Sequence, residues 1–402
     1  MNATRRLTAL ASGLACAGLI AAGCSSSPTA STGPAAAPVA PPLATSFAAA
    51  AGAGWAVVEM GGSAAQHNNF WELFVRPAGT TRWRLATPAG VADNGGLVVA
   101  GAGGSLLTGF RPSQDLTFSP LAASSNSGTS WSPAGPLTPG LAAAPDALAA
   151  TPAGQVIALT KGGGVVFGSK SGTAWTHLGS AKTVAATPAG RACGLTGLTA
   201  AAFSSAGVPM LAASCSRPGT VGIFGDTGSG WFPAGPAKPA SLAREDIAVV
   251  RLAAAGPGVT ALLRAGSGKD TSLIAAWSRG IDSPWTLSAP LHVGASQLSS
   301  TAIGPGGSIG ITLNATRGET LAGPGASWRA LPALPRWAAT LALGPDGQAD
   351  AITAHVGTFS DYRLTPGTGA SSTGGSSTGG SSPGSWTLAQ TIKVSIPYGS
   401  SG

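Results

Sequence analysis

The chain has 402 residues and a formal net charge of +8, yet only 9% of its residues are charged, while Gly reaches 61 and Pro 31. That length allows a large core or several domains, and the lack of any dense Lys/Arg run with interleaved aromatics sets nucleic-acid binding aside. A composition this rich in small residues fits disorder by itself, but 11 tryptophans recurring between short apolar runs argue for a folded array.

Arg5 and Arg6 give a basic start, and Leu7 to Gly23 follow as 17 residues without a charge. A positive start, a short apolar run and small residues before a cut make an export signal. The run is short and weakly apolar for a membrane span. Ala21, Ala22, Gly23 and Cys24 resemble the lipobox of bacterial lipoproteins. The resemblance implies a signal peptide over 1–23, cleavage before Cys24 and a diacylglyceryl group on its sulfur. Two acyl chains give stable attachment where one is marginal, so the expected location is the outer face of the cell membrane. Residues 24–43 read as a Pro/Ala/Ser-rich tether.

From residue 44 one pattern returns. An apolar run ends in a small turn such as TPAG, GPGG or GPDG, and a second run follows, as in 148–160, 300–313 and 339–353. Each reads as two strands joined by a tight glycine turn. A third run and a Gly-containing turn then lead into a tryptophan that opens a fourth strand. These register tryptophans are Trp83, Trp131, Trp175, Trp231, Trp285, Trp328 and Trp386, at gaps of 48, 44, 56, 54, 43 and 58 residues. A four-stranded unit recurring at this period predicts an all-β, seven-bladed β-propeller over 44–398. The last unit contains a Gly/Ser loop at 367–385, with 385–396 as the closing strand.

The turn into the fourth strand carries a motif. Ser124, Asn126, Gly128 and Trp131 follow S-x-D-x-G-x-T-W with Asn for Asp, and Asp226, Gly228 and Trp231 keep three of its positions. This resembles the Asp-box repeat of sialidase-type propellers. A polar side chain bonds the turn's own backbone, glycine supplies positive φ, and the aromatic packs between blades.

Cys193 and Cys215 lie 22 residues apart in an exported chain and pair most simply as a disulfide, the alternative being two buried thiols. The bond would pin an insertion at 183–195 to its own blade. Sialidases as a family use three arginines, a Tyr with a Glu partner, and an Asp acid/base. The nearest match to their early arginine motif, Phe74-Val75-Arg76-Pro77, has the arginine one residue out, which on a strand turns it to the other face. Gly375 to Gly379 fits G-x-S-x-G only inside the Gly/Ser loop, with no nucleophile elbow around it. The histidines fall in different repeats at no ligand spacing, and neither a cofactor nor a metal is expected. Phe70, Trp71, Arg76, Arg82 and Arg84 form a candidate binding patch in the first unit. The expected function is a non-catalytic, monomeric binding or scaffolding module for an envelope protein or glycan. The alternatives are a divergent Asp-box glycoside hydrolase and a propeller that assists assembly of membrane complexes.

Overall fold

The computed structural model describes residues 44–49, 52–61, 70–88, 96–102, 104–110, 121–133, 145–160, 165–169, 175–237, 240–256, 258–344, 348–365 and 384–395. The signal peptide, the tether with Cys24, and nearly all of the 367–385 loop lie outside these residues. Among the described residues no helix is long and apolar enough to cross a membrane.

The structure is nearly all β. Its strands are β1 (Ala44–Ala48), β2 (Gly54–Glu59), β3 (Trp71–Arg76), β4 (Arg84–Leu85), β5 (Leu97–Ala102), β6 (Ser105–Phe110), β7 (Leu121–Ser124) and β8 (Ser132–Pro133). They continue as β9 (Pro145–Ala150), β10 (Val156–Thr160), β11 (Val165–Ser169), β12 (Trp175–Ser180), β13 (Leu195–Phe203), β14 (Pro209–Cys215), β15 (Gly222–Asp226) and β16 (Trp231–Pro233). Next come β17 (Ile247–Ala255), β18 (Gly258–Ala265), β19 (Ser272–Ser278), β20 (Thr286–Leu287), β21 (Leu291–His292), β22 (Leu298–Ile303), β23 (Ile309–Leu313), β24 (Arg317–Leu321) and β25 (Arg329–Ala330). The last are β26 (Ala338–Leu343), β27 (Ala349–His355), β28 (Thr358–Thr365) and β29 (Ser385–Lys393).

Consecutive strands pair antiparallel, β1 to β4, then β5 to β8, and so on to β26–β29. Every register tryptophan opens, or lies within a residue or two of, the outer strand of its meander, as with Trp131 before β8 and Trp175 at the start of β12. Alternate side chains of each meander pack on the next. Val57 and Leu73 of the first meet Leu97 and Val99 of the second, Ile157 and Leu159 meet Leu211 and Phe224, and Leu262 and Leu273 meet Ile309 and Ile311. The run of cores returns to its start, because Ile352 and Phe359 of the last meander pack on Val58 and Phe74 of the first.

Two features depart from separate four-stranded sheets. β1 pairs with β22 in parallel, Ala44 opposite Ser300 and Phe47 opposite Ile303. Small residues allow this approach: Thr45 faces Thr301 and Ser46 faces Ala302, and the Ser46 hydroxyl donates to Leu341 O at 2.5 Å. A single pair, Ser214 and Ala248, also joins β14 to β17.

The 183–195 insertion is helical rather than extended: α1 (Ala181–Ala185) and α2 (Pro188–Cys193). Ser180 and Thr183 cap α1 reciprocally. Thr187 caps α2, Pro188 is its first residue and Gly194 ends it at φ 63°. These are standard start and stop signals. Cys193 at the end of α2 is disulfide-bonded to Cys215 of β14, as expected. Closing a loop of this length contributes about 3 kcal/mol on the chain-entropy estimate. Reduction should therefore lower the urea midpoint of unfolding, and an unchanged midpoint would assign the bond no stabilising role.

Candidate functional site

The strand β3 decides the fate of the expected binding patch. Trp71, Leu73 and Val75 face the core shared with β5 and β6, while Phe74, with Phe70 just before the strand, enters the core shared with the last meander. Trp71 and Arg76 are both buried and point to opposite faces. Arg82 is exposed. Arg84 clasps the neighbouring turn, its Nη2 donating to Ser127 O at 2.6 Å and to Thr129 Oγ1 at 2.8 Å. The structure thus distributes Phe70, Trp71, Arg76, Arg82 and Arg84 over two cores and a joint instead of gathering them on one surface.

That turn is built as its sequence implies. Ser124 Oγ accepts from Gly128 N at 2.8 Å, and Asn126 Oδ1 accepts from Thr129 N at 3.0 Å and Ser130 N at 2.9 Å. Gly128 sits at φ 78°. In the second copy Asp226 Oδ1 accepts from Gly228 N at 2.7 Å and Gly230 N at 3.1 Å. The register tryptophans join neighbouring meanders. The indole of Trp131 donates to Ala86 O at 2.8 Å, Trp285 to Ala234 O at 2.8 Å, and Trp328 to Ala289 O at 3.1 Å. Each acceptor lies just beyond the outer strand, or its pairing, in the preceding meander.

The most charged interior site lies where the last meander meets the first. Arg76 Nη1 contacts Asp350 Oδ2 at 3.3 Å, its Nε donates to Gly52 O at 3.1 Å, and its guanidinium lies 5.0 Å from the Trp83 ring centroid. Asp350 of β27 and Asp361 of β28 share a face, because Asp350 is opposite Arg363 and Asp361 is opposite Ile352. Burial raises the Asp350 carboxyl above the ordinary range, against the pull of Arg76 and Arg363. Burial, with Asp350 adding to it, pushes Asp361 up to about 7, opposed by Arg363, Arg76 and the Trp83 indole. Asp361 is 0% exposed, and neither of its oxygens has a partner within strict hydrogen-bond geometry. Gln390 of β29 completes the seam, its amide accepting from Trp83 N and donating to Trp83 O, both at 2.8 Å. Alongside, Glu72 is raised by burial and accepts from the Thr87 hydroxyl.

Arg76 also borders a cleft of about 350 Å³, counting the space open to solvent, lined by Phe47, Trp55, Gly101, Leu106 and Ser127. Beside its Trp55 wall, the Arg251 guanidinium lies 5.8 Å from the indole centroid. Arg251 follows a register shift in β17, the kind of bulge that re-aims a side chain. Its Nε and the Trp55 Nε1 are sealed without hydrogen-bond partners, and desolvation lowers the guanidinium to about 10. Trp55 gives the cleft an aromatic wall and Arg76 a cation, a combination that can hold a planar or anionic group. Among the described residues no cluster of three His, Cys, Asp or Glu stands ready for a metal ion.

Of the tryptophans outside the register, Trp55, Trp71 and Trp277 are buried and Trp337 is 46% exposed. Trp337 has φ 66°, a conformation costing about 1–3 kcal/mol for a bulky residue.

No known protein family matches the chain, and no curated protein sequence does. Solved structures do. YCF48 bound to a D1 peptide is 16% identical, with 78% of this chain and 91% of that chain covered at a TM-score of 0.42. YCF48 from Cyanidioschyzon merolae is 15% identical, with 77% and 93% covered and a TM-score of 0.45. A streptogramin B lyase is 10% identical, with 78% and 91% covered and a TM-score of 0.44. These are β-propeller-type folds.

Proposed function

We propose that this chain is a lipid-anchored, non-catalytic β-propeller of seven four-stranded blades, serving as a binding or scaffolding module at the cell envelope. The seam between the last and first meanders carries this reading. Asp350 is buried and paired with Arg76 across this seam, and Asp361 is buried on the same face beside it, so neither carboxyl lies open to a substrate. The blade count is supported by the cores shared between successive meanders and by the return of the last to the first. The Asp-box reading is supported by the bonded turns at Ser124 and Asp226. Lipidation of Cys24 rests on the lipobox resemblance.

In-cell crosslinking followed by mass spectrometry tests the function. A discrete envelope protein or glycan should be captured, and capture should fall at least tenfold when one rim of the ring is charge-reversed. Turnover of fluorogenic sialosides or other glycosides, abolished by Asp350→Asn, would replace this reading with the hydrolase. Cys24→Ala should release the chain into the medium, and continued membrane retention would overturn the lipid anchor.

A further inference from the structure

One end of the strands is stitched by a run of main-chain hydrogen bonds. Arg217 N donates to Cys193 O at 3.1 Å, Gly219 N to Glu245 O at 2.7 Å, Gly266 N to Asp246 O at 3.0 Å, and Val293 N to Thr271 O at 3.0 Å. The run continues with Asn314 N to Gln297 O at 2.9 Å, Leu334 N to Thr316 O at 3.3 Å, Ala354 N to Trp337 O at 3.2 Å, and Gly357 N to Met60 O at 3.1 Å. Nearly every bond links a turn between second and third strands to a segment entering an innermost strand, so these loops form one rim. Ala44, the first residue of β1, lies on the same rim, because it pairs in parallel with Ser300 near the start of β22.

Among the described residues, charge is unevenly divided between the two rims. Arg217, Arg244, Lys269 and Arg336 are exposed along this one, with Lys182 and Arg191 exposed on α1 and α2 beside it. The acidic residues among its described loops and strand ends are Glu59, Glu245, Asp246 and Asp270, fewer than the six basic ones. On the opposite rim, exposed Arg82, Arg279 and Arg329 stand with Asp226 and Asp282, a smaller basic excess. The basic rim also presents apolar side chains from strained backbone. Trp337 stands at φ 66° and is 46% exposed, and Val356 stands at φ 40° and is 49% exposed. The Trp337 ring stacks on His355 at 4.0 Å, with the Arg336 guanidinium 4.6 Å from its centroid.

We propose that this rim lies against an anionic lipid surface, with Trp337 and Val356 in the headgroup layer and the basic side chains over the phosphates. Indoles favour that layer, where one end is apolar and the other wet, and clustered Lys and Arg are drawn to anionic headgroups. The orientation rests on the reading of Cys24 as the lipid anchor, since residues 24–43 enter the fold at Ala44 on this rim. The opposite rim, with the Ser124 and Asp226 turns, then faces outward for a partner.

The test uses the full chain carrying Cys16→Ala and Cys24→Ala, with an environment-sensitive fluorophore on Val356→Cys or, as the opposite-rim control, on Thr129→Cys. Vesicles of phosphatidylglycerol with phosphatidylethanolamine should blue-shift the label at 356 and leave the label at 129 unmoved. Phosphatidylcholine vesicles should move neither. Combining Arg217→Glu, Lys269→Glu and Arg336→Glu should raise the lipid needed for a half-maximal shift at least tenfold, as should about 0.5 M salt, which screens charges beyond a few Å. A shift at 129, an equal response to both lipids, or none at 356 overturns the proposal. Acylation is read separately from the mass of the Cys24 peptide of the membrane-bound wild type. A missing acyl group with an intact shift at 356 would discard the anchor and keep the face.

Discussion

Arg76→Ala is expected to destabilise the protein by about 3–5 kcal/mol at neutral pH, the cost of removing one partner from a buried ion pair. The guanidinium contacts Asp350, donates to Gly52 O, and lies over the Trp83 ring. Without it, Asp350 and Asp361 face each other in the seam with Arg363 as the cation left beside them. Two carboxylates then share a poorly solvated site, and the cheapest response is for them to take up protons. The loss should therefore shrink as the pH falls, and urea melts at pH 5 and pH 8 would show it. A loss that is equal at both pH values would mean that Arg76 contributes packing on Trp83 and little charge compensation. Replacing both partners at once, with Arg76→Met and Asp350→Leu, should restore much of the stability, because neither member of the pair is then left buried without the other.

The same seam shows what was legible in the sequence. The hairpins at 148–160, 300–313 and 339–353 were readable because apolar runs flank glycine turns, and all three appear as paired strands. The tryptophan register was readable because every copy opens or adjoins an outer strand, and the structure adds the reason in the indole bonds to Ala86, Ala234 and Ala289. Other features depend on context that local pattern does not carry. TPAG makes a hairpin turn at 151–154, where Gly154 has φ 84° and Val156 and Ile157 follow in a strand. The same four residues start a helix at 187–190, where Gly190 N donates to Thr187 Oγ1 and the helix runs on through Arg191 and Ala192. The parallel pairing of β1 with β22 joins residues more than 250 positions apart and leaves no local trace. Asp350 and Asp361 read as lone carboxylates in apolar strands, and Arg76 lies 274 residues from its partner. The first-unit patch was a counting of residue types. On one strand, alternation sends Trp71 and Arg76 to opposite cores, so nearness in sequence separates them in space.

Asp361→Asn is expected to stabilise the protein above pH 7 and to leave it unchanged near pH 4. In the folded chain Asp361 is raised from its ordinary 3.8 to about 7 by burial and by Asp350. A raised carboxyl leaves stability intact below the unfolded value, where both states are protonated. As the pH climbs from about 4 to about 7 the unfolded chain gives up this proton while the folded chain keeps it, so stability falls. Above 7 the loss is complete, and at about 1.4 kcal/mol per pH unit of displacement it amounts to about 4 kcal/mol. Asparagine has nearly the same shape, carries no charge to desolvate, and keeps an oxygen that can accept from the Trp83 indole, whose Nε1 has no strict hydrogen-bond partner. The wild-type urea midpoint should therefore drop between pH 4.5 and pH 8, and this part of the drop should vanish in the variant. Glu72 and Asp350 are raised in the same direction, so a residual slope from them should remain. If Asp361→Asn is less stable than the wild type at pH 8, then the ionised carboxylate is bound more favourably in the seam than its burial implies. Closure would then rest on a network of Arg76, Arg363 and both aspartates, in which each charge is needed.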